Sequence, residues 1–137
     1  MGLGRVLVVD DEEDTRKSLR IILTRGGYDV VEAEDGEKAI AAMNSWDNPL
    51  MVDLIILDLY MPKMNGMEAL AYFRSQFPSI PVIVLTAKPE LLNAEMWKMG
   101  QGVMDFLIKP IQPKQLMAAI HRAEFLRAVK GHTFVAA

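Results

Sequence analysis

Short runs of consecutive apolar residues recur along the chain and alternate with segments in which apolar residues are spaced as on one face of a helix. An unbroken apolar run bounded by turn residues is typical of a strand buried on both faces of a parallel sheet. Five strands alternate with five helices through short connections, which predicts an α/β fold with helices on both faces of a parallel sheet. The strands are expected at residues 6–9, 28–31, 54–57, 82–85 and 103–108.

The helical segments are bounded by residues that start or stop helices. They are expected before Gly26-Gly27, after Asp35 and over residues 64–78, 89–99 and 113–130, where Gly131 should end the last one. Their sheet-facing residues are expected to be Leu19, Ile22, Leu23, Ala39, Ile40, Met43, Met67, Leu70, Ala71, Phe73, Leu116, Ala119, Ile120, Ala123 and Leu126.

A chain of 137 residues with 51% hydrophobic residues is long enough for one domain with its own core. We assign residues 5–130 to this domain, residues 1–4 to an N-terminal extension and residues 131–137 to a tail that could begin a linker. The net charge of −3 provides no basic surface for nucleic acid, and the absence of cysteine excludes disulfides and thiolate metal sites. The ten methionines either fill gaps in the core or form a pliable docking face.

No apolar stretch approaches the ~20 residues of a membrane span. The first five residues are too few and too polar for a secretory signal. A cytoplasmic protein is therefore expected.

Polar residues follow four of the predicted strands at the point where each strand ends. Asp10 and Asp11 come after the first strand, Asp58 after the third, Thr86 after the fourth and Lys109 after the fifth. The carboxyl ends of parallel strands share one edge of the sheet, where ligands collect, so these five side chains should converge. Taken singly, Thr86 could instead be a helix N-cap and Lys109 could extend from a strand end to solvent.

This combination suits phosphoryl transfer to a carboxylate. Asp58 can act as the nucleophile, and a magnesium ion could be held by Asp11 and Asp58 with help from Asp10. Lys109 offers a positive charge to a phosphoryl oxygen, and Thr86 offers a hydroxyl donor. The neighbouring Ala87 is small, so its backbone N–H is approachable. The acids at residues 12–14 are explained by the preference of carboxylates for a helix N-terminus.

Four motifs then resemble one known family, the receiver domains of two-component response regulators. They lie at residues 8–12, 58–66, 85–87 and 105–110, and the resemblance extends from about residue 5 to residue 130. It implies a flavodoxin-like, doubly wound fold with strand order 2-1-3-4-5. It also implies a signalling phosphoacceptor that catalyses only its own phosphorylation and dephosphorylation, rather than an enzyme acting on other substrates.

The resemblance assigns roles to individual residues. Asp58 would be phosphorylated by a sensor histidine kinase or a histidine phosphotransfer protein. Mg²⁺ or Mn²⁺ would be held by Asp10, Asp11, Asp58 and the backbone carbonyl of Tyr60. Thr86 and Phe106 would form a switch pair that changes the face made by the fourth helix, fifth strand and fifth helix. That face would control a partner or output domain or form a homodimer, and Lys109-Pro110 would be a cis peptide.

The chain departs from the family pattern in a few places. The segments around residues 44–51 and between Thr86 and Lys109 are longer than usual, and Val103 stands where alanine is usual. At the rim of the pocket, beside Ala87, Tyr60 and Lys88 form a bulky, basic pair that we expect to alter the rate of autodephosphorylation.

Two other functions fit the same residues. A degenerate receiver could dock a partner regardless of phosphorylation. A magnesium-dependent phosphatase could use Asp58 as its nucleophile, although Tyr60 stands where such an enzyme needs a second acid and no insertion is large enough for a substrate cap.

Overall fold

The structure of the protein is a computed structural model that describes residues 4–44, 52–59, 66–87 and 103–136. Side chains are described from Asp105 onward in the last strand and as far as Phe125 in the last helix. The helix predicted at residues 89–99 therefore lies outside the described residues.

Five parallel strands form one sheet in the order β2-β1-β3-β4-β5, which confirms the expected topology. The chain places β2 on one side of β1 and then returns to place β3 on the other side. The strand order therefore switches between β1 and β3. In open α/β sheets, the crevice at the carboxyl ends beside such a switch point is the usual ligand site. The strands span Arg5–Val9 (β1), Asp29–Ala33 (β2), Leu54–Asp58 (β3), Val82–Thr86 (β4) and Val103–Ile108 (β5).

Among the described residues, four helices cover the sheet. Asp35 caps α2 because its Oδ1 accepts a hydrogen bond from the Lys38 N–H at 2.8 Å. α1 ends at Gly26, and the following Gly27 has a φ of 94°, a conformation that favours glycine. The helices are Glu13–Arg25 (α1), Gly36–Met43 (α2), Gly66–Gln76 (α3) and the C-terminal helix Pro113–Ala136.

Two separate hydrophobic cores lie on the two faces of the sheet, because successive side chains of a strand point to opposite faces. In β1, Leu7 and Val9 face the core beneath α2 and α3, whereas Val6 and Val8 face the core beneath α1 and the C-terminal helix. This arrangement confirms the doubly wound architecture and holds the carboxyl edge of the sheet between two packed layers.

Three local predictions were wrong. β2 begins at Asp29 and continues to Ala33 rather than covering residues 28–31. In α3, Ala71 is exposed and Ala69 is buried, since the buried positions 66, 69, 70 and 73 follow the helical repeat. The C-terminal helix continues past Gly131 to Ala136, because one glycine inside a helix costs only about 1 kcal/mol relative to alanine.

The other predicted helix faces agree with the observed burial, although Ile22, Ile40 and Met67 are only partly buried. The side chain of Leu126 lies outside the described residues. Among the described residues, no helix is both long enough and apolar enough to cross a membrane.

Candidate functional site

The carboxyl edge of the sheet brings the predicted site residues together. Asp10 follows β1, Asp58 ends β3, Thr86 ends β4 and Lys109 follows β5, and these strands are neighbours in the sheet. Asp10, Asp58 and Thr86 are buried, although polar side chains are costly to bury without partners. Asp11 lies at the same edge and is exposed.

Backbone hydrogen bonds continue the sheet into the loops that carry the site. The Leu59 N–H donates to the Leu85 carbonyl at 3.2 Å, and the Lys109 N–H donates to the Thr86 carbonyl at 2.9 Å. The chain segments that follow β3 and β5 are therefore anchored to β4, the strand between them. This anchoring places the Lys109 side chain over the end of β3.

The amine of Lys109 is the centre of the cluster. Its Nζ lies 2.8 Å from Asp10 Oδ2, 2.9 Å from Glu12 Oε1 and 3.2 Å from Asp58 Oδ2. The Lys109 side chain is only 12% exposed. The structure thus places this amine against the Asp58 carboxylate, as the sequence predicted.

The environment of Lys109 favours its charged form. Burial by itself lowers the pKa of Lys109, but the close contacts with Asp10 and Glu12 and the negative charges of Asp10 and Asp58 outweigh it, so the pKa is raised. The residue therefore carries a full positive charge at neutral pH.

The environment of Asp10, by contrast, disfavours the charged form of its carboxyl group. Burial raises the pKa of Asp10 above its ordinary value, and the contact with Lys109 and the hydrogen bond from Glu12 only partly offset this effect. Its Oδ1 accepts the Glu12 N–H at 2.9 Å. Its Oδ2 forms an ion pair with Lys109 but makes no well-aligned hydrogen bond among the described residues. One buried oxygen of Asp10 is therefore incompletely satisfied.

Four acidic residues form a group that could hold a metal ion. One carboxylate oxygen from each of Asp10, Asp11, Glu12 and Asp58 lies within 4.8 Å of the others. A hard divalent cation such as Mg²⁺ prefers oxygen ligands and relieves the repulsion between such carboxylates. The poorly satisfied Asp10 Oδ2 adds a buried acceptor to this set, so the residues present fit a magnesium ion.

Glu12 is a member of this group that sequence reasoning assigned only to the N-terminus of α1. It does precede the helix as the N-cap residue, but its side chain makes no capping hydrogen bond. It pairs with Lys109, which is 97 residues away along the chain. The available signal was its position directly after two acids at a strand end.

Gly66 ends the second motif, but sequence reasoning gave it no structural role. A Cβ atom at this position would lie 2.2 Å from Leu59 Cα and 2.5 Å from the Asp58 carbonyl oxygen. The Gly66 N–H donates to the Leu59 carbonyl at 2.8 Å. Only glycine allows α3 to begin so close to the backbone that carries Asp58.

The predicted switch residues lie on adjacent strands. Phe106 is half-buried, pairs in register with Val84 and packs against the core beneath α2 and α3. A β-bulge in β5 lets residues 82 and 83 of β4 pair with 103 and 105. The bulge takes up one extra residue of β5. From residue 83 onward the two strands pair in regular register, up to Thr86 and Ile108 at the pocket.

The remaining predicted residues are placed as follows. The Lys109-Pro110 peptide bond is cis, in agreement with the resemblance. Ala87 is exposed directly after β4. Tyr60 and Lys88 lie outside the described residues.

Comparison with known families identifies the chain. The fold and the site define a flavodoxin-like α/β protein with an acidic pocket at the carboxyl edge of its sheet. A family model described as the response regulator receiver domain matches residues 6–121. The chain therefore belongs to the response regulator receiver domain family.

Two curated relatives illustrate the similarity. The alkaline phosphatase synthesis transcriptional regulatory protein PhoP of Bacillus subtilis is 37% identical over 116 residues, which cover 85% of this chain and 46% of PhoP. The DNA-binding response regulator MtrA of Mycolicibacterium paratuberculosis is 34% identical, with coverage of 85% and 49%. The chain thus spans about half the length of these relatives.

Solved structures agree with this assignment. A response regulator receiver domain protein from Clostridium thermocellum has a TM-score of 0.81 at 29% identity, covering 93% of this chain and 98% of that protein. The response regulator TrrA of Thermotoga maritima, in complex with Mg(2+)-BeF, has a TM-score of 0.74 at 28% identity, with coverage of 88% and 99%.

Proposed function

We propose that this receiver domain accepts a phosphoryl group on Asp58 from a histidine of a sensor kinase or a histidine phosphotransfer protein. The observation that carries the proposal is the Lys109 amine 3.2 Å from Asp58 Oδ2, inside a group of four acids. A buried carboxylate beside a buried cation at a strand end is costly to maintain for stability alone. Its chemistry is suited to a charged, oxygen-rich ligand.

In the transfer step, an Asp58 carboxylate oxygen forms a bond to phosphorus as the nitrogen–phosphorus bond of the donor breaks. The leaving imidazole keeps the electron pair of that bond. Charge builds on the three phosphoryl oxygens, which makes positioned positive charge the main source of catalysis. Lys109 supplies such a charge, and the Thr86 hydroxyl is proposed to donate to another phosphoryl oxygen.

The metal site is proposed to consist of Asp10, Asp11, Asp58 and the backbone carbonyl of Tyr60, with Mg²⁺ or Mn²⁺ as the ion. When bound, the ion neutralises charge between the carboxylate and the incoming phosphoryl group. The 4.8 Å grouping and the buried Asp10 Oδ2, which pairs with Lys109 but accepts no well-aligned hydrogen bond among the described residues, support this proposal. The related TrrA protein was crystallised with Mg(2+)-BeF, which is consistent with it.

Phosphorylation is proposed to switch a surface of the domain. A phosphoryl group adds roughly −1.5 to −2 charges at neutral pH, and Thr86 and Lys109 are placed to respond. Phe106 lies on the strand beside Thr86 and is half-buried, so it can transmit the change outward. On β5 and the C-terminal helix, Ile108 is 52% exposed and Phe125 is 67% exposed, which supports an apolar contact surface for a partner.

The partner of this surface is proposed to be an output domain, a separate protein or a second copy of the chain. PhoP and MtrA are described as a transcriptional regulator and a DNA-binding response regulator, and this chain matches about half of each. Coupling between phosphorylation and partner affinity of ~1–3 kcal/mol is typical of such switches. We propose no nucleic-acid contact by this segment, because its net charge is −3.

Labelling with acetyl [³²P]phosphate and magnesium tests the proposal. We expect the wild type to be labelled and the Asp58→Asn variant to remain unlabelled while its circular dichroism spectrum shows that the fold is preserved. Retained label in the variant would place the acceptor elsewhere.

Two further outcomes separate the alternatives. If the wild type fails to bind beryllium fluoride with magnesium, a phosphorylation-independent docking module is favoured. Sustained turnover of small phosphate esters would indicate a phosphatase instead. For Tyr60 and Lys88, we propose that a Tyr60→Asn, Lys88→Ala variant changes the lifetime of the phosphorylated form, and an unchanged lifetime would refute this.

A further inference from the structure

Arg16 lies behind the acidic group and joins three elements. Its side chain is 14% exposed and belongs to α1. Its Nη1 donates to the backbone carbonyl of Asp10 at 2.6 Å, and its Nε lies 3.5 Å from Glu32 Oε1 on β2. A mostly buried arginine is therefore used to hold a backbone carbonyl at the end of β1.

This contact completes the fixing of Asp10. The Asp10 N–H donates to the Ala33 carbonyl at 3.2 Å, and Asp10 Oδ1 accepts the Glu12 N–H at 2.9 Å. The carbonyl held by Arg16 belongs to the planar peptide unit that also contains the nitrogen of Asp11. That plane fixes the position of the Asp11 Cα and the direction of its N–Cα bond, from which the Asp11 side chain extends.

The Asp11 carboxylate depends on this backbone constraint. Among the described residues, no hydrogen bond or ion pair holds it, although one of its oxygens lies within 4.8 Å of the other three carboxylates. A carboxylate that is exposed and unrestrained would lose rotational freedom on binding a cation. Because the backbone beneath it is already fixed, only the side-chain rotation of Asp11 remains to be lost on binding, and the total cost of ordering is smaller.

We propose that Arg16 is a positioning residue for a divalent cation: braced by Glu32, it fixes the Asp10–Asp11 peptide and orients the Asp11 carboxylate toward the metal site. The inference rests on the proposed function and extends it to a residue outside the ligand set. Residues that hold a metal ligand without touching the metal typically contribute roughly 10–100-fold to the affinity of the site for the metal.

Whether magnesium binding weakens or tightens on removal of Arg16 distinguishes a positioning role from a purely electrostatic one. Arg16 carries a positive charge close to the acids, so its charge alone opposes the binding of a cation. If only charge mattered, removal of Arg16 would tighten magnesium binding. If Arg16 positions Asp11, its removal weakens binding.

Arg20 provides a matched control on the same helix. Its Nη1 lies 2.6 Å from Glu32 Oε2, so it shares the same acidic partner as Arg16. Its side chain is 48% exposed, and the described contacts connect it with Glu32 rather than with the Asp10 carbonyl. Arg20→Met therefore removes the same charge and the same partner without releasing the peptide.

Titration of the full chain with magnesium chloride by isothermal calorimetry tests the proposal. We expect Arg16→Met to bind magnesium roughly ten-fold more weakly than the wild type. Arg20→Met should stay within about two-fold of the wild type, because an exposed charge is screened by salt. Equal effects of the two substitutions, or unchanged or tighter binding by Arg16→Met, would overturn the positioning role.

Two further variants keep the proposal testable if Arg16→Met does not fold. Glu32→Gln removes the charge of the brace while leaving Arg16 in place, and it should weaken magnesium binding through both the lost brace and the lost negative charge, so unchanged binding would count against the brace. Arg16→Lys keeps the charge and one donor, and it should bind magnesium more weakly than the wild type because the two-armed contact is lost. Wild-type affinity in both variants would refute the role of Arg16 and leave the proposed function intact. Absence of magnesium binding by the wild type would refute both.

Discussion

Two cations beside β5 show how the same kind of ion pair differs between the pocket and the surface. Lys109, just after the strand, is 12% exposed and touches three carboxylates. Arg122, on the C-terminal helix, is 58% exposed and contacts a single acid, Asp105, with its Nε 3.0 Å from Asp105 Oδ2. Arg122 is 17 residues from its partner, whereas Lys109 is 51 residues from Asp58 and 97 from Glu12, so the pocket joins more distant parts of the chain.

The two sites differ in how much hydration their charged groups lose in the folded protein. The surface pair remains largely solvated, and such pairs contribute only about 0–1 kcal/mol. In the pocket, Lys109, Asp10 and Asp58 have lost much of their hydration and depend on one another, so removal of one member leaves the others uncompensated. The pocket is therefore a place where a new ligand charge has a large effect.

The largest expected effect comes from Lys109→Met. Without the amine, the buried carboxylates of Asp10 and Asp58 repel each other, and we expect a loss of roughly 3 kcal/mol of stability in the presence of EDTA. Magnesium should restore part of this loss because it supplies the missing positive charge. Urea unfolding with EDTA and with saturating magnesium measures both quantities. A loss no larger than that of Arg122→Met would contradict the distinction between the two sites.

Gly66→Ala tests the backbone beneath the pocket. The added Cβ would lie 2.2 Å from Leu59 Cα, which cannot move without shifting β3, so we expect destabilisation of about 1–3 kcal/mol or more. Gly26→Ala is the matched control beside the C-terminal helix, because its Cβ would meet the flexible end of Met117 at 3.1 Å and the Leu23 carbonyl oxygen at an ordinary 3.4 Å. Thermal unfolding of the two variants gives the comparison, and similar effects would argue against a tight approach at Gly66.

Tyr28→Phe probes a hydrogen bond between the turn before β2 and the C-terminal helix. The Tyr28 hydroxyl donates to Glu124 Oε1 at 2.5 Å, and burial together with Glu124 raises the pKa of Tyr28. Because Glu124 is exposed and can be hydrated, we expect a loss of only about 1 kcal/mol. Urea unfolding at neutral pH measures it, with Glu124→Gln as the control that keeps an acceptor. A loss comparable to that of Lys109→Met would indicate a larger role for this contact.

Arg122→Met should have the smallest effect. The pair with Asp105 is exposed, so its removal should cost less than about 1 kcal/mol and should be insensitive to magnesium. Urea unfolding with and without magnesium checks this expectation. A magnesium-dependent change would show that the surface of β5 is coupled to the pocket even without phosphorylation.

Much of the site could be predicted from local patterns. Apolar runs located the strands, and the polar residue after each run identified Asp10, Asp58, Thr86 and Lys109, because parallel strands present their ends at one edge. The resemblance supplied the strand order, which the structure shares. The inner face of α3 was partly wrong, since Ala69 and Ala71 differ only in their angle around the helix and the sequence alone left that angle open.

The amino-acid sequence by itself determined the alternation of strands and helices and the chemical character of the sheet edge, because both depend on residues close together along the chain. Only the tertiary structure decided that Glu12 reaches Lys109, that Arg16 holds the Asp10 carbonyl and that α3 begins against Leu59. Each of these contacts depends on the distance and direction between one secondary-structure element and the end of another. Packing of the two cores sets those quantities, and no local pattern encodes them.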